Sequence, residues 1–253
     1  MPHLPMRRAN PTSLILPALL LGLSVAQAGP PLLTDDPDTP ERGDGEINVA
    51  MTAEKRGRAW SLETPLLDFN YGFRDTIQLK FEVPYLVEME SKGPDQSGIG
   101  NSEVGVKWRF FENDALAVST YPQLAFNSSD HTVRRGLVED GWEFILPVEF
   151  SHELAEGTLL FGELGGAWTE EGDDGAFCGL AIEHELSESF ALLAELYAQS
   201  ADGFDNPELL LNLGFHWQTC EHVAVIGAIG RGLIEGDEPL PELSSYLGLQ
   251  FTF

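Results

Sequence analysis

The chain has 253 residues, with 14 basic against 41 acidic side chains and a formal net charge of −27. So acidic a balance argues against nucleic acid as a partner, because few positive charges are left to neutralise phosphates. The two cysteines, Cys178 and Cys220, do not make a disulfide framework, and we expect both to be free and buried.

The first 28 residues have the pattern of an export signal. Arg7 and Arg8 precede a 13-residue apolar run from Ser13 to Val25, and Ala26-Gln27-Ala28 places small residues where a signal peptidase cuts. A helix needs roughly 20 apolar residues to span a bilayer, which argues against the alternative of a retained anchor. We therefore expect cleavage to leave 225 residues with a formal charge of −29.

Residues 29–45 are rich in proline and acid and predict an irregular periplasmic leader. Asp35, Asp36 and Asp38 could suggest calcium. However, Pro37 interrupts the alternate-position spacing that a calcium loop requires. No metal or cofactor site is therefore predicted in this segment, and none is predicted elsewhere in the chain.

From residue 46 onwards, apolar and polar residues alternate with a period of two, as in strands that have one apolar and one polar face. Twelve strands are predicted, at 46–54, 60–71, 75–87, 98–111, 115–126, 141–151, 157–169, 175–184, 189–200, 207–218, 222–231 and 243–253. Connections after even-numbered strands are tight, and several of the others are long and acidic. This is the pattern of bacterial outer-membrane barrels. The predicted fold is all-β, an antiparallel up-and-down transmembrane barrel of about 12 strands over residues 46–253.

Aromatic residues are predicted near both rims of this barrel, where amphipathic rings meet lipid and lipopolysaccharide headgroups. The last strand places Leu249, Phe251 and Phe253 on one face, with Tyr246 close before them. This ending resembles the terminal signal by which the barrel-assembly machinery recognises outer-membrane proteins. The sequence therefore predicts an outer-membrane protein exported through an N-terminal signal.

The polar face of the strands predicts a charged lumen. The residues predicted to line it are Glu82, Glu103, Lys107, Arg109, Glu143, Glu149, Glu163, Glu183, Glu195, Glu208 and Asn212. Lys107 and Arg109 are expected to face Glu103 and the neighbouring strands. Two interpretations stay open: the charges brace a narrow interior, or an excess of acids favours the passage of cations.

An apolar strip is predicted to interrupt this polar lumen. Its residues are Phe161, Phe177, Ala181, Leu193, Tyr197, Leu210 and Ile226. Such a strip would suit a small amphipathic or aromatic solute. It would equally suit the leader packed inside the barrel as a plug, and the sequence leaves both interpretations open.

Enzymatic chemistry has little support in the sequence, because no catalytic motif is present. No catalytic residue is predicted. The sharpest alternative is a membrane-embedded lipid hydrolase, in which His131 would activate Ser128 or Ser129. His152, His184 and His216 recur at intervals of 32 residues, but zinc would need three or four convergent ligands.

Three segments resemble one known family. Leu33-Thr34-Asp35-Asp36-Pro37 is followed by Gly45-Glu46-Ile47-Asn48, and Gly98–Arg109 reads GIGNSEVGVKWR. These segments resemble the outer-membrane proteins named after the MetA pathway of phenol degradation. The resemblance implies a barrel that acts as a transporter, and it brings no catalytic residues.

The function predicted from these features is passive passage of a small solute through an acidic lumen, with an amphipathic or aromatic compound as one candidate solute. The first alternative is a structural or adhesion barrel whose lumen is closed by salt bridges, and the second is the lipid hydrolase.

Overall fold

The computed structural model describes residues 30–89, 95–170, 174–201, 207–235 and 240–253. The predicted export signal, residues 1–28, lies outside the described residues. Residues 30–44 form turns and bends without a helix or strand, and the strands begin at Gly45.

Fourteen strands and one short helix follow in the described part of the chain. They are β1 (Gly45–Arg56), β2 (Ala59–Arg74), β3 (Ile77–Met89), β4 (Gln96–Ile99), β5 (Asn101–Glu112), β6 (Leu116–Thr120), β7 (Gln123–Asn127), α1 (Asp130–Arg134), β8 (Trp142–Ala155), β9 (Thr158–Thr169), β10 (Gly175–Ser187), β11 (Phe190–Ala201), β12 (Glu208–Cys220), β13 (Val223–Ile234) and β14 (Leu243–Thr252).

These strands form one closed antiparallel barrel. Most strands pair with the strands before and after them in sequence, and β1 closes the ring by pairing with β14, from Glu46 opposite Thr252 to Lys55 opposite Leu243. β4 and β5 both pair with β3, whereas β6 and β7 both pair with β8. Each of these two pairs therefore acts as one interrupted strand, and the predicted barrel of twelve strands is confirmed.

The two interruptions have local causes. β4 and β5 meet at Gly100, whose N–H donates to the carbonyl of Pro84, 2.9 Å away. β6 and β7 are separated by Tyr121 and Pro122, and proline cannot donate to a sheet ladder. Pro147 lies on the adjacent β8, where its carbonyl accepts the Tyr121 N–H at 3.4 Å.

The strands are longer at one end than the sequence predicted. β2 extends to Arg74 and β8 to Ala155, so residues predicted as turns still pair with the next strand. The remaining turns are short. In Glu156-Gly157, for example, Gly157 has a φ of +69°, a left-handed conformation that glycine adopts at no steric cost. The longest predicted loop contains α1, a five-residue helix that the period-two pattern did not indicate.

We call the end of the barrel with the short connections after β2, β5, β8, β10 and β12 the turn rim, and the opposite end the loop rim. Large apolar side chains point outward on each of the twelve strands and stay exposed, as Leu164 (60%) and Leu213 (54%) illustrate. Exposed apolar surface on this scale is typical of a lipid-facing wall. Within the described residues, no helix has the length and hydropathy to cross a membrane.

Both cysteines are free, as predicted, but the prediction that they are buried is wrong. Cys178 is exposed on β10, and Cys220 is exposed at the end of β12. Cys178 alternates with the buried residues Phe177 and Gly179 and therefore occupies an outward position. In a lipid-facing wall a small apolar side chain need not be buried by protein.

Candidate functional site

The lumen is partly filled by residues 30–44, which we call the leader. Its backbone N–H groups at Leu33 and Thr34 donate to the carboxylate of Glu195 on β11. On a distant part of the ring, Asp35 forms an ion pair with Lys107 on β5, with 2.8 Å between Nζ and Oδ2. Because it contacts both strands, the leader crosses the interior of the barrel.

Close backbone contacts hold the leader against the wall. A Cβ atom at Gly179 on β10 would collide with the Thr34 hydroxyl, and one at Gly72 on β2 would collide with the carbonyl of Glu41. Only glycine allows the leader and the strand to approach so closely at these positions. Gly43 then donates its N–H to the Gly72 carbonyl at 2.8 Å, just before the leader continues into β1.

The apolar strip packs in part against the leader. Phe161, Ala181 and Leu193 form a buried cluster, and Leu32 of the leader lies on it. The sequence left open whether this strip receives a solute or the leader. The leader covers this central part of the strip, whereas Phe177 and Tyr197, nearer the loop rim, face open space.

Lys107 is the centre of the charge network in the turn half of the lumen. Its side chain is fully buried, and its Nζ atom lies 2.8 Å from Asp35, 3.6 Å from Glu149 and 4.8 Å from the centre of the Tyr121 ring. It also donates to the backbone carbonyl of Asp36. The expectation that Lys107 faces Glu103 is wrong, because Lys107 lies at the level of the leader, closer to the turn rim.

Arg109 also binds the leader. Its guanidinium group lies 3.2 Å from the Asp38 carboxylate and donates to the backbone carbonyl of Asp75. Burial raises the pKa of Asp38 although Arg109 opposes the shift. Burial raises the pKa of Asp36 well above its ordinary value of 3.8, and the nearby charge of Asp38 adds to the effect.

Acids oppose each other directly across two pairs of strands. Glu82 faces Glu103 between β3 and β5, and like charges in opposed positions repel. Lys80 relieves this repulsion, since its Nζ lies 3.1 Å from both carboxylates. Lys80 itself is paired with Gly105, where a Cβ atom would lie only 2.8 Å from the Tyr121 ring.

The second opposed pair is Glu149 and Glu163, on β8 and β9. Here Lys107 supplies the positive charge to Glu149, and the Ser119 hydroxyl donates to the same carboxylate. The strands therefore supply the partners of Glu149, and the leader supplies a backbone hydrogen bond from Asp35 to Glu163.

Of the lumen residues predicted from the sequence, most of those nearer the turn rim contact the leader or one another. Asn212 donates to Glu195 at 2.5 Å, and both side chains are buried. Glu183 is half-buried on β10, two residues after the buried Ala181. The structure thus brings Lys107, Arg109, Glu149, Glu195 and Asn212 together around the leader.

The predicted residues nearer the loop rim line a cavity of about 640 Å³. These are Glu82, Glu103, Glu143, Glu163 and Glu208. The leader bounds the cavity through residues between Pro30 and Asp35. On β12, for example, Glu208 lines the cavity, whereas Gly214, nearer the turn rim, lies against the leader.

Sequence reasoning missed a buried polar chain on β1, β2 and β3. Asn48 donates to Asp68 at 3.1 Å, Asn70 donates to the same carboxylate at 3.0 Å, and Gln78 donates to Asn70 at 2.7 Å. The signal was present, since Asp68 and Asn70 alternate with apolar residues along β2. Tyr121 was also missed, because it lies at the break between β6 and β7.

The alternative sites have little geometric support. Ser128 donates to the Gly100 carbonyl at 2.9 Å, and within the described residues no hydrogen bond joins it to the exposed His131. His152 contacts the Ala115 carbonyl, and His184 contacts the Thr158 hydroxyl. In the described part of the chain, no three metal-binding side chains lie close enough to share an ion.

No family model matches the chain, and no curated protein matches it significantly. Among solved structures, an outer-membrane channel from Pseudomonas putida F1 is similar, with a TM-score of 0.69 and 16% identity over 86% of this chain and 98% of that one. The KdgM porin has a TM-score of 0.60 and 10% identity over 82% of this chain and 99% of that one. The same porin in complex with disordered oligogalacturonate has a TM-score of 0.56. At these identities the likeness establishes the fold, a closed barrel of the outer-membrane type.

Proposed function

We propose that this chain is an outer-membrane channel for passive passage of a small amphipathic or aromatic solute. The observation that carries the proposal is the cavity of about 640 Å³ in the loop half of the lumen. Its volume falls in the range of pockets that hold small organic molecules. The fold shared with channels and porins supports the same function.

The outer membrane is the proposed location. The exposed apolar side chains on every strand support contact with the acyl chains of lipid and lipopolysaccharide. The predicted export signal and the terminal residues Tyr246, Leu249, Phe251 and Phe253 support delivery to the barrel-assembly machinery. The three quoted segments support membership of the family named after the MetA pathway of phenol degradation.

The character of the solute follows from the cavity wall. Phe177 and Tyr197 stack with their ring centres 6.1 Å apart, and Leu66 and Ile145 add apolar surface. Glutamates line other parts of the same wall. A solute with an apolar body and a polar end would satisfy both kinds of surface.

The leader restricts passage toward the turn rim. A solute in the cavity meets the leader between Pro30 and Asp35, and the leader is tied to the wall by Lys107 and Glu195. Continuous passage therefore requires either a gap beside the leader or movement of its first residues. We propose that ions and small solutes pass beside it.

A structural or adhesion barrel is the second candidate. It is favoured by the buried contacts of Lys107, Glu149 and Glu195, which brace the interior as a closed lumen would require. In this case the cavity would open at the loop rim only, and no solute would cross the barrel.

Single-channel recording distinguishes the two candidates. The mature protein is refolded, and folding is first checked by faster migration of the unheated sample on a detergent gel. The protein is then inserted into a planar bilayer under a salt gradient. Stepwise currents with cation preference are expected from an acidic lumen. Silent bilayers from folded protein would overturn the channel and support the structural barrel.

A further inference from the structure

We propose that the cavity in the loop half of the lumen binds an organic cation, an ammonium group attached to an aromatic or short apolar body. The inference rests on the proposed function in one respect, since it names the class of solute for that same passage. Three features of the cavity carry it: its size, a wall that is apolar on one part and acidic on another, and carboxylates on that wall that have no basic partner.

One part of the wall fits the apolar body. Phe177 and Tyr197 are stacked, and Ala167 and Ala176 lie nearby on the lining of the cavity. Aromatic rings offer a ligand both apolar contact and a negative face toward a cation. The volume of about 640 Å³ is ample for a single aromatic ring with a short side chain.

The charges on the wall are unbalanced. Lys80 lies 3.1 Å from both Glu82 and Glu103, so its charge is already shared between them. Glu163 accepts a backbone hydrogen bond from Asp35 of the leader, and Glu208 accepts a hydrogen bond from the Gln199 side-chain amide at 2.9 Å. Within the described residues, however, no basic side chain forms an ion pair with Glu143 or Glu208, which also line the cavity. Carboxylates that are withdrawn from bulk water without a counter-charge favour a cation in their place.

The same features select against other solutes. An anion would be repelled by Glu143 and Glu208, and the nearby lysine is already occupied by two carboxylates. A neutral alcohol of the same shape keeps the apolar contacts and loses the charge interaction. The cavity should therefore rank an ammonium first, a neutral analogue second and a carboxylate last.

Equilibrium binding tests this order without requiring any current. The refolded mature protein in nonionic detergent micelles is titrated calorimetrically with phenethylammonium, 2-phenylethanol or phenylacetate, and empty micelles are titrated in parallel. These probes share one aromatic ring and differ in charge. We expect phenethylammonium to bind about tenfold or more tightly than the alcohol, and phenylacetate to show no binding above the micelle background.

Substitutions locate the binding to the cavity. The double variant Glu143→Gln/Glu208→Gln is expected to weaken phenethylammonium binding by about tenfold or more, since it removes two carboxylates from the wall. The control is Glu153→Gln/Glu188→Gln, which changes the net charge equally at two exposed positions near the turn rim.

The outcomes separate this inference from the proposed channel. Equal binding of the three probes, or equal weakening by the control variant, would overturn the cation site. Selective ammonium binding by a protein that gives silent bilayers would support the site and overturn only the passage. Currents without ammonium preference in the titration would support the channel and overturn the site.

Discussion

The two halves of the lumen are built from the same strands but meet different surroundings. In the turn half, Lys107 and Arg109 form ion pairs with acids of the leader, and Glu195 accepts hydrogen bonds from the leader's backbone. In the loop half, Glu143 and Glu208 face a cavity. Alternation along the strands places charges inward in both halves. The leader determines whether those charges stabilise the barrel or remain available to bind a solute.

The difference between the two halves shows that an inward charge in a barrel of this size can either stabilise the fold or remain available to a solute. A buried ion pair stabilises little overall, but removal of one partner is costly because the other is left uncompensated. Charges in the turn half should therefore affect stability when they are replaced. Charges in the loop half should affect binding and selectivity instead.

Lys107→Met should have the largest effect on stability. It leaves Asp35 and the fully buried Glu149 without their cation, so we expect a loss of about 3–5 kcal/mol in the free energy of unfolding. Urea unfolding of the refolded barrel, followed by gel migration, measures the loss. Lys80→Met is the comparison, because its partners Glu82 and Glu103 border the cavity. Equal losses in the two variants would contradict the expectation that charges of the turn half matter more for stability than charges of the loop half.

Glu195→Gln should loosen the leader. The carboxylate accepts the N–H groups of Leu33 and Thr34 and the amide of Asn212, and a neutral side chain presents only one oxygen to these donors. We expect a loss of about 1–3 kcal/mol in leader binding. Limited proteolysis with mass spectrometry should show faster cleavage between residues 30 and 44. Glu208→Gln, in the loop half, should leave the cleavage rate unchanged, and faster cleavage in both variants would contradict the assignment.

Much of the fold could be predicted because the period-two pattern is a local signal. Alternation along β3 or β8 shows directly which side chains share a face, and short connections identify antiparallel neighbours. Strand ends were less certain. The residues Gly72-Phe73-Arg74 indicate a turn, although backbone pairing there continues to Arg74.

The partners of the lumen charges could not be predicted in the same way. Lys107 was predicted to face Glu103, on its own strand, and the neighbouring strands. Its closest carboxylate is instead that of Asp35, 72 positions earlier in the chain. The leader has no regular hydrogen-bonding pattern, so no periodicity gives its path. Tyr121 was missed for a related reason, because the strand is broken beside it at Pro122.

A change in pH should alter the leader through Asp36. Burial raises its pKa above 3.8 when the leader is in place, so protonation favours the bound leader. This contribution is complete below about pH 3.8 and is lost as the pH rises through the raised pKa. Asp36→Asn imitates the protonated form and should protect the leader more strongly at neutral pH. Hydrogen exchange of leader peptides, corrected for intrinsic rates, measures the difference.

The same experiment can fail in an informative way. The asparagine introduced by Asp36→Asn keeps an oxygen that can accept the Asp38 N–H, which donates to Asp36 at 2.8 Å in the native protein. Weaker protection of the variant at neutral pH would mean that the negative charge of Asp36 is needed by Lys107. A pH response that is unchanged by the substitution would assign the titration to Asp38 or to the lumen glutamates instead.

Glu242→Gln should have the smallest effect, although its ion pair is the shortest of those compared. The Lys55 Nζ lies 2.6 Å from the Glu242 carboxylate, against 2.8 Å for Lys107 and Asp35, but both partners at the loop rim are exposed to water. The hydrogen bond and charge of Lys55 lower the pKa of Glu242, so its contribution is present above about pH 4.5 and lost as the pH falls. Water and salt screen such a pair. We therefore expect the urea midpoint of the variant to lie within experimental error of the native value at neutral pH, and the two midpoints to stay together on acidification. A loss comparable with that of Lys107→Met would mean that distance, and not burial, determines which charges hold this barrel together.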